Sequence, residues 1–225
     1  WKPPWGSAPR GVGGSHGAFC EPSCVTRRRI LIALGAVALI AILIVGLGQS
    51  RGIDEQTTTQ SASEMTRELT GSPPRLAALH AQANELLDGN ATTVQRRIAS
   101  LKGFPVVVNM WGSWCPPCRL EMPFFQKTGV QYGKKVAFLG LNVQDPKAGA
   151  EKLLKQIPLP YPSYIDPGGR TGTKLAGTVA GLPITVFYDA SGKQTEIHQG
   201  VFPSQAELSA AVRRYALGEP VPPGS

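Results

Sequence analysis

Cys115 and Cys118, with Pro116 and Pro117 between them, are the residues of this 225-residue chain whose types and spacing are best suited to chemistry. Two thiols three positions apart can close into a disulfide on a single turn of backbone and be opened again by another thiol. Just before them the β-branched run Val106-Val107-Val108 reads as a short buried strand, and just after them a helical pattern begins. The pair therefore sits at a strand-to-helix turn, where unpaired N–H groups draw a thiol toward its thiolate. With Cys115 as N-cap, the facing donors are the amides of residues 117 and 118, and Pro117 has no N–H to give. Only Cys118 is left to donate, so Cys115 is expected to be a weakly stabilised thiolate and the dithiol to give up electrons readily. Half a zinc site and a structural disulfide are the competing readings, but a zinc ribbon needs a second ligand pair at suitable spacing, and no other Cys or His pair follows Ser50.

The helix after the motif carries Glu121 one turn below Cys118 and on the same face. In the strand before it, Asn109 is an amide and cannot move the proton that thiol-disulfide exchange requires, which leaves Glu121 as the candidate. Further along, Gly181-Leu182-Pro183-Ile184-Thr185 puts a proline directly before a strand, a candidate cis bond of the kind that costs little only for X-Pro.

Trp114-Cys115-Pro116-Pro117-Cys118 after a Val-rich strand, followed by Glu121-Met122-Pro123, resembles the membrane-anchored TlpA/ResA/CcmG-like thioredoxin-fold thiol-disulfide oxidoreductases. The resemblance covers residues 91–217. It implies an α/β thioredoxin-like fold, a central mixed sheet flanked by helices, on a single N-terminal transmembrane helix. It implies Cys115 as the attacking thiol, more exposed at the helix tip, Cys118 as the buried resolving thiol, and Glu121 as the acid near both. Leu182, before a cis Pro183, would pair its backbone with an extended substrate, and Pro183 would keep the site free of a metal-binding side chain. Trp114, Pro116 and Pro117 would touch substrate, and Trp111, Trp114 and Phe124 would form an apolar rim. No cofactor and no metal are implied. The partners implied are proteins with cysteine pairs, apocytochrome c among them, and a membrane thiol transporter as electron donor.

The rest of the chain must carry and place this unit. Net charge is +8, but up to Ser50 five basic residues face Glu21 alone, and from Arg51 onward 18 basic residues face 14 acidic ones. Such a mild excess, with no dense basic stripe interleaved with aromatics, speaks against nucleic acid. Residues 1–29 are rich in Gly, Pro and Ser and read as a disordered basic N-terminus. Cys20 and Cys24 within it read as two thiols on a reducing side of a membrane. Within residues 30–48, which follow Arg27-Arg28-Arg29, Ile30 to Leu47 are 18 residues without a charged or polar side chain; at about 1.5 Å per residue they would span about 27 Å, near a hydrocarbon core. They are expected to be an uncleaved single-pass anchor, with the arginines inside and the remainder extracytoplasmic.

Residues 49–72 read as a flexible linker, 73–217 as the thioredoxin-like domain with an N-terminal helical extension, and 218–225 as a disordered tail. Pro73-Pro74 opens a helix expected to run to about Leu87, and a second covers Thr92 to Leu101. Strands are expected over Lys135–Val143, Tyr161–Asp166, Ile184–Tyr188 and Thr195–Gly200. Helices are expected from Lys147, capped by Asp145-Pro146, after Gly168-Gly169, and over Pro203–Leu217. His80 reads as packed or solvated and His198 as structural. No oligomer seam is visible, and a monomer is expected. Three functions are compatible with the pattern. The first is a reductase of substrate disulfides outside the membrane. The second is an oxidase or isomerase using the same motif. The third is a Cu(I)-handling protein with His198 as third ligand.

Overall fold

The structure, a computed structural model, describes residues 60–220 and Leu34. In chain order its first elements are α1 (Ala62–Glu68), α2 (Pro74–His80), β1 (Leu86–Leu87), α3 (Ala91–Ser100), β2 (Val106–Trp111) and α4 (Pro116–Tyr132). Then follow β3 (Ala137–Val143), α5 (Lys147–Gln156), β4 (Ser163–Asp166), α6 (Arg170–Ala176), β5 (Ile184–Tyr188), β6 (Gln194–Gln199) and α7 (Gln205–Ala211).

All six residues of β2 are buried, as a strand covered on both faces must be, and β2 lies inside a six-stranded sheet of order β1-β4-β3-β2-β5-β6. β1, β4, β3 and β2 run parallel to their neighbours, whereas β5 and β6 are antiparallel, which makes the sheet mixed. This is the thioredoxin-like arrangement. Alternation along β2 divides the core. Val107 and Trp111 face the side of α4, α5 and α7, with Met122, Phe125, Leu153 and Leu208. Val106, Val108 and Met110 face α2, α3 and α6, with Leu76, Leu79, Ile98 and Leu175. The redox turn thus hangs from the most buried strand and feeds the helix on one chosen face.

Several elements differ from the reading of the sequence. Residues 60–72, expected as part of a flexible linker, contain α1. Ser61 and Glu64 form a reciprocal capping box, Met65 and Leu69 are buried, and Gln60 exchanges backbone-to-side-chain hydrogen bonds of 2.8 and 2.9 Å with Gln126 of α4. The helix opened by Pro74 stops at His80 rather than Leu87. Asn84 takes a left-handed φ of 62°, and Leu86 and Leu87 pair with Ser163 and Tyr164 as an edge strand. The closing helix is α7 followed by a π turn over Val212–Ala216, with Leu208 and Val212 fully buried. Among the described residues no helix is long and apolar enough to cross a membrane. The expected anchor over residues 30–48, Cys20, Cys24 and residues 221–225 lie outside the described residues.

Candidate active site

Cys115 is the N-cap of α4, and its Sγ accepts from the Cys118 N–H at 3.2 Å, with Pro116 and Pro117 filling the first helical positions. The two cysteines are joined in a disulfide with their Cα atoms 5.3 Å apart. Greater exposure of Cys115 was expected from its place at the helix tip. Instead it is 2% exposed against 0% for Cys118, because both sulfurs pack into the core cluster on the α4 side of the sheet. Exposure belongs to the neighbours: Trp114 is 52% exposed and Leu120 is 70%. Trp111, expected at the rim, is fully buried and its Nε1 donates to Ser163 Oγ at 3.3 Å, since its place in β2 points it into the core. Phe124 is half-buried against the same cluster.

The turn carrying Trp114 is latched to the end of β3. Asp145 Oδ2 accepts from the Ser113 N–H at 2.5 Å and from Asn142 Nδ2 at 2.7 Å, and Asp145 Oδ1 accepts from Ser113 Oγ at 2.7 Å. Trp114 Nε1 donates to the Gln144 carbonyl at 3.0 Å. Asp145 therefore does not cap α5, as its position before Pro146 had suggested. Pro146 is the N-cap and has no side-chain bond to offer. Sequence reasoning missed this latch because its partners are 32 residues apart.

Glu121 is fully buried beneath the disulfide end of α4. Its Oε1 accepts from Asn109 Nδ2 at 3.1 Å, and its Oε2 accepts from the Phe202 N–H at 3.0 Å. Burial pushes its pKa up to about 7, against the two hydrogen bonds, which pull the other way. Tyr161, enclosed on the same side of the sheet, is driven well above its ordinary range by burial and by the charge of Glu121. A carboxyl that can take or return a proton near neutral pH thus lies one helical turn from the Cys118 sulfur.

The Leu182–Pro183 peptide bond is cis. Pro183 is buried, its carbonyl accepts from the Gly200 N–H at 2.9 Å, and Ile184 beside it pairs with Met110 near the end of β2 that leads to the motif. Leu182 is half-buried and packs against the cluster containing both cysteines. The structure so brings Trp114, Cys115, Pro116, Pro117, Cys118 and Glu121 together on one turn and helix, with Leu182 and Pro183 on the loop leading into β5. His198 lies with its ring stacked on Phe202 at 4.0 Å and 19°, and burial lowers its pKa. His80 is buried and is lowered for the same reason. Among the described residues no group of three His, Cys, Asp or Glu side chains is arranged to hold a metal ion.

Comparison with known proteins places residues 77–213 in the redoxin family. The chain is 35% identical over 102 residues to the thiol-disulfide oxidoreductase ResA of Bacillus cereus, covering 44% of this chain and 57% of that protein. It is 38% identical over 114 residues to the thiol:disulfide interchange protein DsbE of Pseudomonas fluorescens, covering 50% and 60%. The chain therefore spans about three fifths of the length of these curated relatives. Among solved structures, a secreted disulfide oxidoreductase of Mycobacterium tuberculosis is 27% identical with a TM-score of 0.46, covering 51% of this chain and 84% of that one.

Proposed function

The chain belongs to the redoxin family and is a TlpA/ResA/CcmG-like thioredoxin-fold protein. From that premise we propose that it is a thiol-disulfide oxidoreductase that reduces disulfides in other proteins. The observation that carries the direction is the single amide, that of Cys118, facing the Cys115 sulfur, where Pro117 has no N–H to add. A thiolate so sparsely stabilised makes the disulfide the favoured state of the pair and the dithiol a donor of electrons.

In the forward reaction the Cys115 thiolate attacks one sulfur of a substrate disulfide. That bond breaks, and its electron pair leaves on the second substrate sulfur. The Cys118 thiol gives its proton to the Glu121 carboxylate and attacks Cys115, which releases the first substrate sulfur as a thiolate. The products are the Cys115–Cys118 disulfide and a reduced substrate, and an external dithiol must restore the pair. Trp114, Pro116, Pro117, and the Leu182 backbone beside Pro183 would hold the substrate segment. Arg27-Arg28-Arg29 and the apolar stretch over residues 30–48 support an extracytoplasmic domain fed by a membrane thiol transporter, with apocytochrome c cysteines as one substrate class.

The reading is tested by mixing the reduced protein with insulin. We expect insulin reduction together with formation of the Cys115–Cys118 disulfide, and a mixed disulfide through Cys115 that accumulates in Cys118→Ser. Failure of both results removes the reading. Faster oxidation of a reduced peptide dithiol than reduction of insulin would replace it with the oxidase or isomerase alternative. Stoichiometric copper bound after anaerobic reduction would favour the Cu(I)-handling one.

A further inference from the structure

Glu121 is fully buried, so a proton it takes from Cys118 must reach water by some route before the next turnover. The sheet offers one. Asn109 on β2 is paired with Thr185 on β5, and Thr185 is paired with His198 on β6, both in antiparallel register. Paired residues project from the same face, with Cβ atoms about 4.5–5.5 Å apart. That face is the α4 side: Asn109 bonds Glu121 of α4, and the His198 ring lies on Phe202. Phe202 returns to Glu121 through its N–H. Glu121, Asn109, Thr185, His198 and Phe202 therefore close a ring of contacts that starts at the carboxyl and ends at the half-buried edge strand.

Within this ring three polar atoms are buried and unpartnered: Asn109 Oδ1, Thr185 Oγ1 and His198 Nε2. Asn109 and Thr185 are 1% and 0% exposed, so neither can find solvent by a side-chain flip at the surface. Two acceptors flanking a hydroxyl that can both give and take a hydrogen bond are the partner set that holds a bridging water.

We propose that Thr185 and His198, in the cross-strand row beside Asn109, form the proton route between Glu121 and solvent, with Asn109 holding the carboxyl and His198 as the outer relay. The inference rests on the oxidoreductase reading and deepens it. In the forward reaction the Cys118 proton passes to Glu121, then through the hydroxyl and a bridging water to the His198 ring, and from there to bulk buffer. Reduction of the disulfide runs the same proton inward. No electron moves along this row. The titratable groups facing the relay are Glu196 on its own strand, whose charge favours the imidazolium, and Glu121 from α4 across Phe202; a Gly200 backbone hydrogen bond holds the ring.

The test follows the resolving step by Trp fluorescence in the 225-residue chain, mixed with glutathione disulfide at pH 6–8 and at several buffer concentrations. His198→Gln is expected to slow the step by about tenfold at low buffer. Added imidazole should restore the rate to within about twofold, a rescue that a packing role cannot produce. Thr185→Val should slow the step and Thr185→Ser should not. A His198→Gln rate that matches wild type at every buffer concentration, or a slow rate that imidazole leaves unchanged, overturns the route. If Glu121→Gln changes the pH profile while His198→Gln does not, the route falls and the oxidoreductase reading stands. If wild type itself fails to reduce insulin, both fall.

Discussion

Asn109 Nδ2 donates to Glu121 Oε1 at 3.1 Å, tying the strand before the disulfide to the helix after it. The amide cannot carry a proton, but it can hold the carboxyl that does. With the Phe202 N–H on the other oxygen, Glu121 is fixed in place yet still neutral up to about pH 7, because its burial outweighs the two donors. The acid of the site and its supports come from three separate parts of the chain.

Glu121 should leave a signature in stability. Its pKa is raised in the folded protein, from about 4.5 to about 7, so the folded state keeps a proton that the unfolded chain releases. Stability is therefore full below about pH 4.5 and falls as pH climbs through about 7, by on the order of 3 kcal/mol. Buried His80 and half-buried His198 act the other way, losing stability as pH drops below about 6.5, but they are common to wild type and variant. The difference in denaturation midpoint between wild type and Glu121→Gln is expected to change between pH 4.5 and 7.5. A constant difference would contradict the raised pKa.

Asp145 should hold the Trp114 turn. Asp145→Ala leaves the Ser113 amide and Asn142 Nδ2 without their acceptor, which should cost about 2–3 kcal/mol in urea denaturation. It should also change the emission of Trp114, whose Nε1 bonds the adjoining Gln144 carbonyl. Unaltered stability and emission would mean that the latch is not formed in solution.

Helix α1 should behave as part of the domain. Met65 is fully buried, so Met65→Ala is expected to destabilise by about 2–4 kcal/mol, whereas Thr66→Ala on the exposed side should stay within about 0.5 kcal/mol. Equal melting temperatures for the two variants would return residues 60–72 to a linker.

Gly140 should tolerate no side chain. A Cβ there would meet Ser163 Oγ at 2.0 Å and Trp111 Nε1 at 3.0 Å, so Gly140→Ala is expected to cost about 1–3 kcal/mol and to break the Trp111–Ser163 bond. Adding Ser163→Gly should recover part of the loss in melting temperature. No recovery would show that the clash lies elsewhere.

What could be read from the sequence was local. The Val-rich run, the cysteine pair with its prolines, Glu121 on the face of Cys118, and a proline before a strand are set by neighbours in the chain, and the structure puts these elements where that reading did. The rest depended on partners far along the chain. The burial of Glu121 is completed by Phe202, 81 residues away, and Asp145 is claimed by Ser113, 32 residues earlier, rather than by the helix next to it. The capping box at Ser61 and Glu64, with Met65 and Leu69 at helical spacing, was present in a stretch whose Thr, Ser and Gln content suggested only a linker. Leu86 and Leu87 fitted a helical stripe but became strand because Ser163 and Tyr164 offered an open sheet edge. Exposure of Cys115 followed from its place at a helix tip only if nothing packed over it, and the core cluster does.

The claim that this pair donates electrons is tested most directly by the reduction potential of Cys115 and Cys118, measured in the 225-residue chain equilibrated against a dithiol buffer. A sulfur that receives one amide is predicted to give a potential near or below about −250 mV. A value above about −180 mV would identify an oxidant and contradict the account.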